Sequence, residues 1–223
     1  MEPSQRVHLS ITCWHEAGHL VVALYEGFEV TGARVSTRMP GNGAVACRRP
    51  GPTAINPALG RGNARLAWQE SLERTRSRMR LALAGPLAEA RVLGTPMRSL
   101  GATSDFRAAF QLAQRLRCLW EDFGAWHGAP APVPLDLLNQ ERKRVRRWLG
   151  RPDRWSLVTA CARALERHGQ LDRPAIWALW EEHIAPPGQA SFPWATEPPR
   201  PRGIPCSGRK GQRRLATATP AVA

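Results

Sequence analysis

From Ile11 onward the positions Ile11, Trp14, Gly18, Val21, Val22 and Tyr25 fall on one face of a 3.6-residue helix, and Gly27 stands where such a helix stops. The period then changes. In FEVTGARVSTR the β-branched residues Val30, Thr31, Val35 and Thr37 read as a strand, MPGNGAV reads as a turn and AVACRR as a second strand. A small hairpin or edge sheet should therefore follow the first helix. Beyond a loop rich in Gly and Pro, Trp68, Leu72, Thr75, Met79 and Leu83 mark out a second helix. Pro86 interrupts that pattern at a cost of roughly 3 kcal/mol in a helix interior, so AGPLAEARVLG either kinks the helix or restarts it with Pro86 in the first turn.

Thr103 or Ser104 can cap a third helix, whose apolar face is Phe106, Ala109, Phe110, Ala113, Leu116 and Trp120 and whose first turn carries Asp105. Further helices are expected over Asp136–Leu149 and Trp155–His168, followed by a short one opened by Pro174 and ending near His183. The expected fold class is mainly α, with a small β-hairpin or edge sheet after the first helix, over residues 1–184. Residues 185–223 hold eight of the twenty prolines and six basic residues against one acid, Glu197. Such a segment buries too little apolar surface to order itself, and it reads as a disordered, Pro/Arg-rich basic tail.

Charge adds a class of partner. Thirty-two Lys and Arg face eighteen Asp and Glu, a formal net charge of +14, which favours nucleic acid, lipid headgroups or acidic proteins, with the tail as the place to dock them. An arginine-heavy composition also arises without any such partner. Cys13, Cys47, Cys118, Cys161 and Cys206 are odd in number and widely spaced, and form no C-x-x-C pair, so neither a disulfide framework nor a cysteine zinc knuckle is indicated and a reducing cytoplasm fits. The apolar stretch from Ile11 to Val30 carries His15, Glu16, His19 and Glu26, so no transmembrane span or secretion signal is expected.

Those charges inside the first helix are the candidate chemistry. In WHEAGHL, residues 14–20, His15 and His19 are four apart and so share a helix face, with Glu16 alongside. Two imidazoles can then hold one Zn²⁺ while the glutamate acts as general base toward water, whose pKa such a metal lowers to about 7. The two histidines border the apolar stripe, where a merely solvated polar turn would be out of place and buried imidazoles need partners. A third ligand must come from elsewhere, and the residues offer two: Glu89 in LAEAR and Asp105 in TSDFR. Asp105 also has a plainer role, as an acid favouring a helix N-terminus.

HEAGH, VTGARVSTR, RLALAGPLAEARVLG and GATSDFRAAFQLA, in that order, resemble the blocks of the peptidase domain of FtsH-type, AAA-linked zinc metalloproteases, and ACARALERHGQLDRPAIWAL resembles that family's closing helices. The resemblance covers about residues 8–183. It implies a helical zinc endopeptidase in which Asp105, rather than Glu89, completes the ligand set with His15 and His19, with Glu89 structural or supporting a ligand.

The chain departs from the family in three ways. No G-x-x-x-x-G-K-[ST] loop or membrane anchor occurs, Pro86 stands where an arginine is usual, and FGAWHGAPAPVPLD, containing His127, replaces a longer connection. The expectation is a peptidase domain served by a separate AAA-type ATPase, acting on a protein or peptide that adds as a strand near Ala33–Thr37, and a homo-oligomer is compatible with it. A peptidase dedicated to one regulator would use the same chemistry. The competing class is a non-catalytic or regulatory zinc-binding module that docks an anionic partner through its tail.

Overall fold

A computed structural model describes residues 3–39, 41–49, 61–96, 104–123 and 130–184. Thr103, His127, Cys206 and the expected tail, residues 185–223, lie outside the described residues. The elements run α1 (Pro3–Tyr25), β1 (Glu29–Val35), β2 (Gly43–Arg48), α2 (Arg61–Leu93), α3 (Ser104–Phe123), α4 (Pro134–Leu149), α5 (Pro152–His168), β3 (Gln170–Asp172) and α6 (Arg173–His183). The architecture is mainly helical with one small antiparallel sheet, as the apolar periodicity predicts.

Helix α1 is the axis of the core. Cys13, Ala17, Leu20, Val21, Ala23 and Leu24 are fully buried, and because they cover more than one stripe the helix is enclosed by α2, α5, β1 and β2 together. It ends where Gly27 takes a left-handed φ of 75°. There the Phe28 N–H donates to the Ala23 carbonyl at 2.9 Å and the Gly27 N–H to the Leu24 carbonyl at 3.2 Å. These bonds close the last turn and send β1 back along the helix it has just left.

The sheet order is β2-β1-β3, antiparallel throughout. Strand β1 turns Val30, Ala33 and Val35 onto the core, with a bulge between Val30 and Gly32 where two steps on β1 oppose one on β2. The third strand was not foreseen, because three residues, Gln-Leu-Asp, are too few to show alternation. Asp172 ends it and also caps α6, its Oδ1 accepting from the Ala175 N–H at 3.0 Å.

Helix α2 runs unbroken from Arg61 to Leu93 with Pro86 inside it, so the restart allowed by the sequence is not taken. Its middle is tied down by Arg80, whose side chain is only 4% exposed. The guanidinium donates to Glu26 at 2.6 Å through both Nε and Nη2, to Glu73 at 2.6 Å and to Glu141 at 3.2 Å. One cation thereby joins α2, the end of α1 and α4. Removing Arg80 leaves the buried Glu141 with a 3.9 Å contact to Arg76 as its remaining ion pair among the described residues, and a buried carboxylate so weakly compensated is costly. Arg80→Met is therefore expected to lower unfolding free energy by about 3–5 kcal/mol in urea melts, whereas Arg117→Ala, which breaks an exposed pair with Glu121, should leave the midpoint nearly unchanged.

Candidate metal centre

Three elements deliver the site, and helix geometry explains each contribution. His15 and His19 lie one turn apart on α1, so their rings share one face and meet edge to face, centroids 4.8 Å apart. Helix α2 crosses that face at Gly85. A Cβ on Gly85 would fall 2.4 Å from His19 Nε2 and 2.6 Å from His15 Nε2, so the imidazoles occupy the space that a side chain there would fill. The first turn of α3 supplies Asp105.

His15 Nε2 lies 2.9 Å from Asp105 Oδ2 and 3.1 Å from His19 Nε2, and His19 Nε2 lies 3.4 Å from the same carboxylate oxygen. Among the described residues these three form the group able to hold a metal ion. Glu89 is outside it. One turn beyond Gly85, its Oε2 sits 3.0 Å from His15 Nδ1, while the Leu81 carbonyl sits 2.8 Å from His19 Nδ1. A carbonyl can only accept, so His19 carries its proton on Nδ1 and, when neutral, turns a lone pair toward the others. The same holds for neutral His15 against Glu89.

Three acceptors thus converge with no donor among them, which is repulsive unless a positive charge sits at their meeting point. A zinc ion fits. Donors 2.0–2.1 Å from a tetrahedral ion lie roughly 3.3 Å apart, close to the spacings here, and imidazoles braced through Nδ1 by a carboxylate or carbonyl are the usual supporting arrangement. Without a metal, the charge must come from a proton. Burial pulls the His15 pKa down, but hydrogen bonding to Asp105 and Glu89 outweighs it and carries the group up to about 9. Asp105 moves the other way: burial would raise it, yet the bonds to His15 and His19 hold its carboxyl well below the usual carboxylate range.

Glu16 is 6% exposed. Burial raises its pKa above the ordinary value against the opposing pull of His19 and His15, with Asp105 adding to the rise, so its carboxylate is a better base than a solvated one. It packs on β2 at Gly43, where a Cβ would meet its Oε1 at 2.5 Å. That contact needs a residue without a side chain. The turn before β2 is latched to α1 by Thr12, whose hydroxyl donates to the His8 carbonyl at 2.8 Å and accepts from the Gly41 N–H at 3.1 Å.

An open cleft of about 730 Å³ contains all of these groups, with β2 residues Gly43, Ala44, Val45 and Cys47 along one wall. This corrects one expectation. The segment near Ala33–Thr37 offers no free edge, because Gly32, Ala33 and Arg34 of β1 are paired on one side to β2 and on the other to β3. The strand beside the cleft is β2. A buried glutamate next to a three-acceptor cluster, in a cleft with a strand on its rim, can accept a proton from water and hold an extended chain alongside.

No protein-family model matches the chain. Over 107 residues, 48% of its length, it is 33% identical to the ATP-dependent zinc metalloprotease YME1L1 of Mus musculus and to that of Homo sapiens. The relation is a distant one. The aligned stretch covers 13% of the mouse protein and 12% of the human one, so the chain spans about an eighth of the length of these curated relatives.

Two outcomes test this geometry. Gly85→Ala should cost at least about tenfold in zinc affinity, read by competition with a chromophoric chelator, because the added methyl displaces both imidazoles. In chelator-treated protein, His15 has a folded pKa near 9 against about 6.5 unfolded. Its contribution is then full below pH 6.5 and is lost as pH rises through 9. Urea midpoints of the metal-free protein should fall across that window, and those of His15→Gln should not.

Proposed function

We propose that the chain is a zinc-dependent endopeptidase domain, with His15, His19 and Asp105 as the metal ligands and Glu16 as general base. The observation that carries the reading is the convergence of His15 Nε2, His19 Nε2 and Asp105 Oδ2 within 3.4 Å beside a buried Glu16 in a cleft rimmed by β2. A purely structural ion has no need of a base with a raised pKa, nor of an open cleft. The distant likeness to an ATP-dependent zinc metalloprotease points the same way.

His15, His19 and Asp105 would hold Zn²⁺, which would supply Lewis acidity toward the scissile carbonyl and toward water, whose pKa such an ion lowers to about 7. The chain's own groups do the rest. An extended substrate adds along β2, whose backbone groups fix its register and direction. Glu16 takes the proton of the attacking water and hands it to the amide nitrogen as the C–N bond breaks. Glu89 and the Leu81 carbonyl keep the imidazoles aimed, and Thr12 keeps the β2 turn against α1. Among the described residues no helix is long and apolar enough to cross a membrane. Folded substrates would require a separate AAA-type ATPase.

Metal analysis and peptide cleavage test the reading. Purified protein should contain one zinc ion per chain, and Glu16→Gln should keep it while cleavage falls at least about a hundredfold, since the amide retains shape but cannot accept the proton. Metal-loaded Glu16→Gln that cleaves normally would overturn the assignment of the base. Asp105→Ala should weaken zinc binding far more than Glu89→Ala, which removes only the brace on His15 and is expected to cost about 10–100-fold. The reverse order would assign the third ligand to Glu89.

A further inference from the structure

A second cavity, of about 810 Å³, opens between the C-terminal turns of α2 and α4. Among the described residues four cations line it, Arg91, Arg142, Lys143 and Arg146, and no acidic side chain does. Some exposed arginines elsewhere find a carboxylate, as Arg48 does in Glu29 and Arg117 in Glu121. Here the side chains of Arg142, Lys143 and Arg146 have no carboxylate within ion-pair distance among the described residues. Arg91 is fixed in place by donation to the Leu149 carbonyl and by stacking over Trp155 at 4.0 Å. The floor is apolar, formed by Leu87 and Leu149, 7% and 2% exposed.

Basic residues near a helix C-terminus also answer the helix dipole. That effect is too small to account for this cluster, since two helix ends contribute roughly half a negative charge each against four full positive ones. The surplus repels itself, and a bound anion relieves it. A second copy of the chain is a poor occupant, because at a net charge of +14 the approaching surface is itself basic. A nucleic-acid strand is also a poor match, as it offers phosphates along a line and calls for an extended stripe. The basic side chains of α4 are instead split, Arg142, Lys143 and Arg146 lining the cavity while Arg144 and Arg147 do not. The volume falls in the range of small-molecule sites, roughly 300–1,000 Å³.

We propose that this cavity binds a compact polyphosphate, a ligand with two or more linked phosphate groups such as a nucleoside triphosphate or inorganic tripolyphosphate. Guanidinium groups give bidentate bonds to phosphate oxygens, and Lys143 adds a point charge. The proposal is independent of the peptidase reading, since no residue of the metal centre takes part.

Calorimetric titration of the full chain with tripolyphosphate and, separately, with a nucleoside triphosphate tests it. Two variants that remove equal charge are compared, R142Q/R146Q in the cavity and R213Q/R214Q near the C-terminus. Saturable binding weakened at least about tenfold in R142Q/R146Q and changed less than about twofold in R213Q/R214Q is expected, with thermal melts showing both variants folded. Equal affinity for the two ligands identifies the phosphate chain as the recognised feature, and tighter nucleoside triphosphate binding adds packing on Leu87 and Leu149. Equal loss in both variants or no saturable binding would overturn the site.

Discussion

Everything at the candidate metal centre depends on how closely α1 and α2 approach. A Cβ on Gly18 would lie 2.6 Å from the Ala88 Cβ and 2.7 Å from the Ala84 carbonyl oxygen, and one on Gly85 would strike both imidazoles. Carbon atoms rest comfortably at about 3.5–4.0 Å. Any larger residue at this crossing therefore forces the helices apart, and with them the Leu81 carbonyl, Glu89 and the Asp105 turn that meet His15 and His19. The small residues Gly18, Ala84, Gly85 and Ala88 contribute little burial of their own. Their effect is to set a distance.

The same helix α2 carries two charge problems that the fold solves in opposite ways. Around Arg80, one buried cation gathers Glu26, Glu73 and Glu141; at the other end, acceptors gather around a point that needs a cation. A Pro86 inside the helix costs an internal hydrogen bond, since it cannot donate to the Ala82 carbonyl. Burial of Leu83, Ala84, Leu87 and Ala88 on both sides of it holds the helix continuous regardless. Tertiary packing outweighs local propensity at the turn nearest His15 and His19.

That contest marks the boundary of what the sequence reveals. The helices were legible because apolar periodicity survives over many turns, and His15, Glu16, His19 and Asp105 stood out because i, i+4 spacing and a helix first turn are local features. Continuity through Pro86 was not legible, nor was β3, whose three residues carry no alternation. The brace on His19 is a backbone carbonyl, invisible to any reading of side chains. The pairing of Gly43 with Glu16, and of β1 with strands on both sides, arises only when distant segments meet. Placing the substrate edge at Ala33–Thr37 failed for that reason: the strand was correctly found, but its neighbours were not.

The sheet that corrects that placement also sets an order of events during biosynthesis. Strand β1 follows the histidine-bearing helix almost at once, yet one of its two partners, β3, is residues 170–172. A nascent chain emerging from the ribosome can form α1 and the β1–β2 hairpin early, as local contacts form before remote ones. It cannot flank β1 on its second side until nearly all the described residues have been made. The wall of the cleft acquires its final support late, so the cluster of His15, His19 and Asp105 stays without its finished surroundings for most of the time the chain is being made.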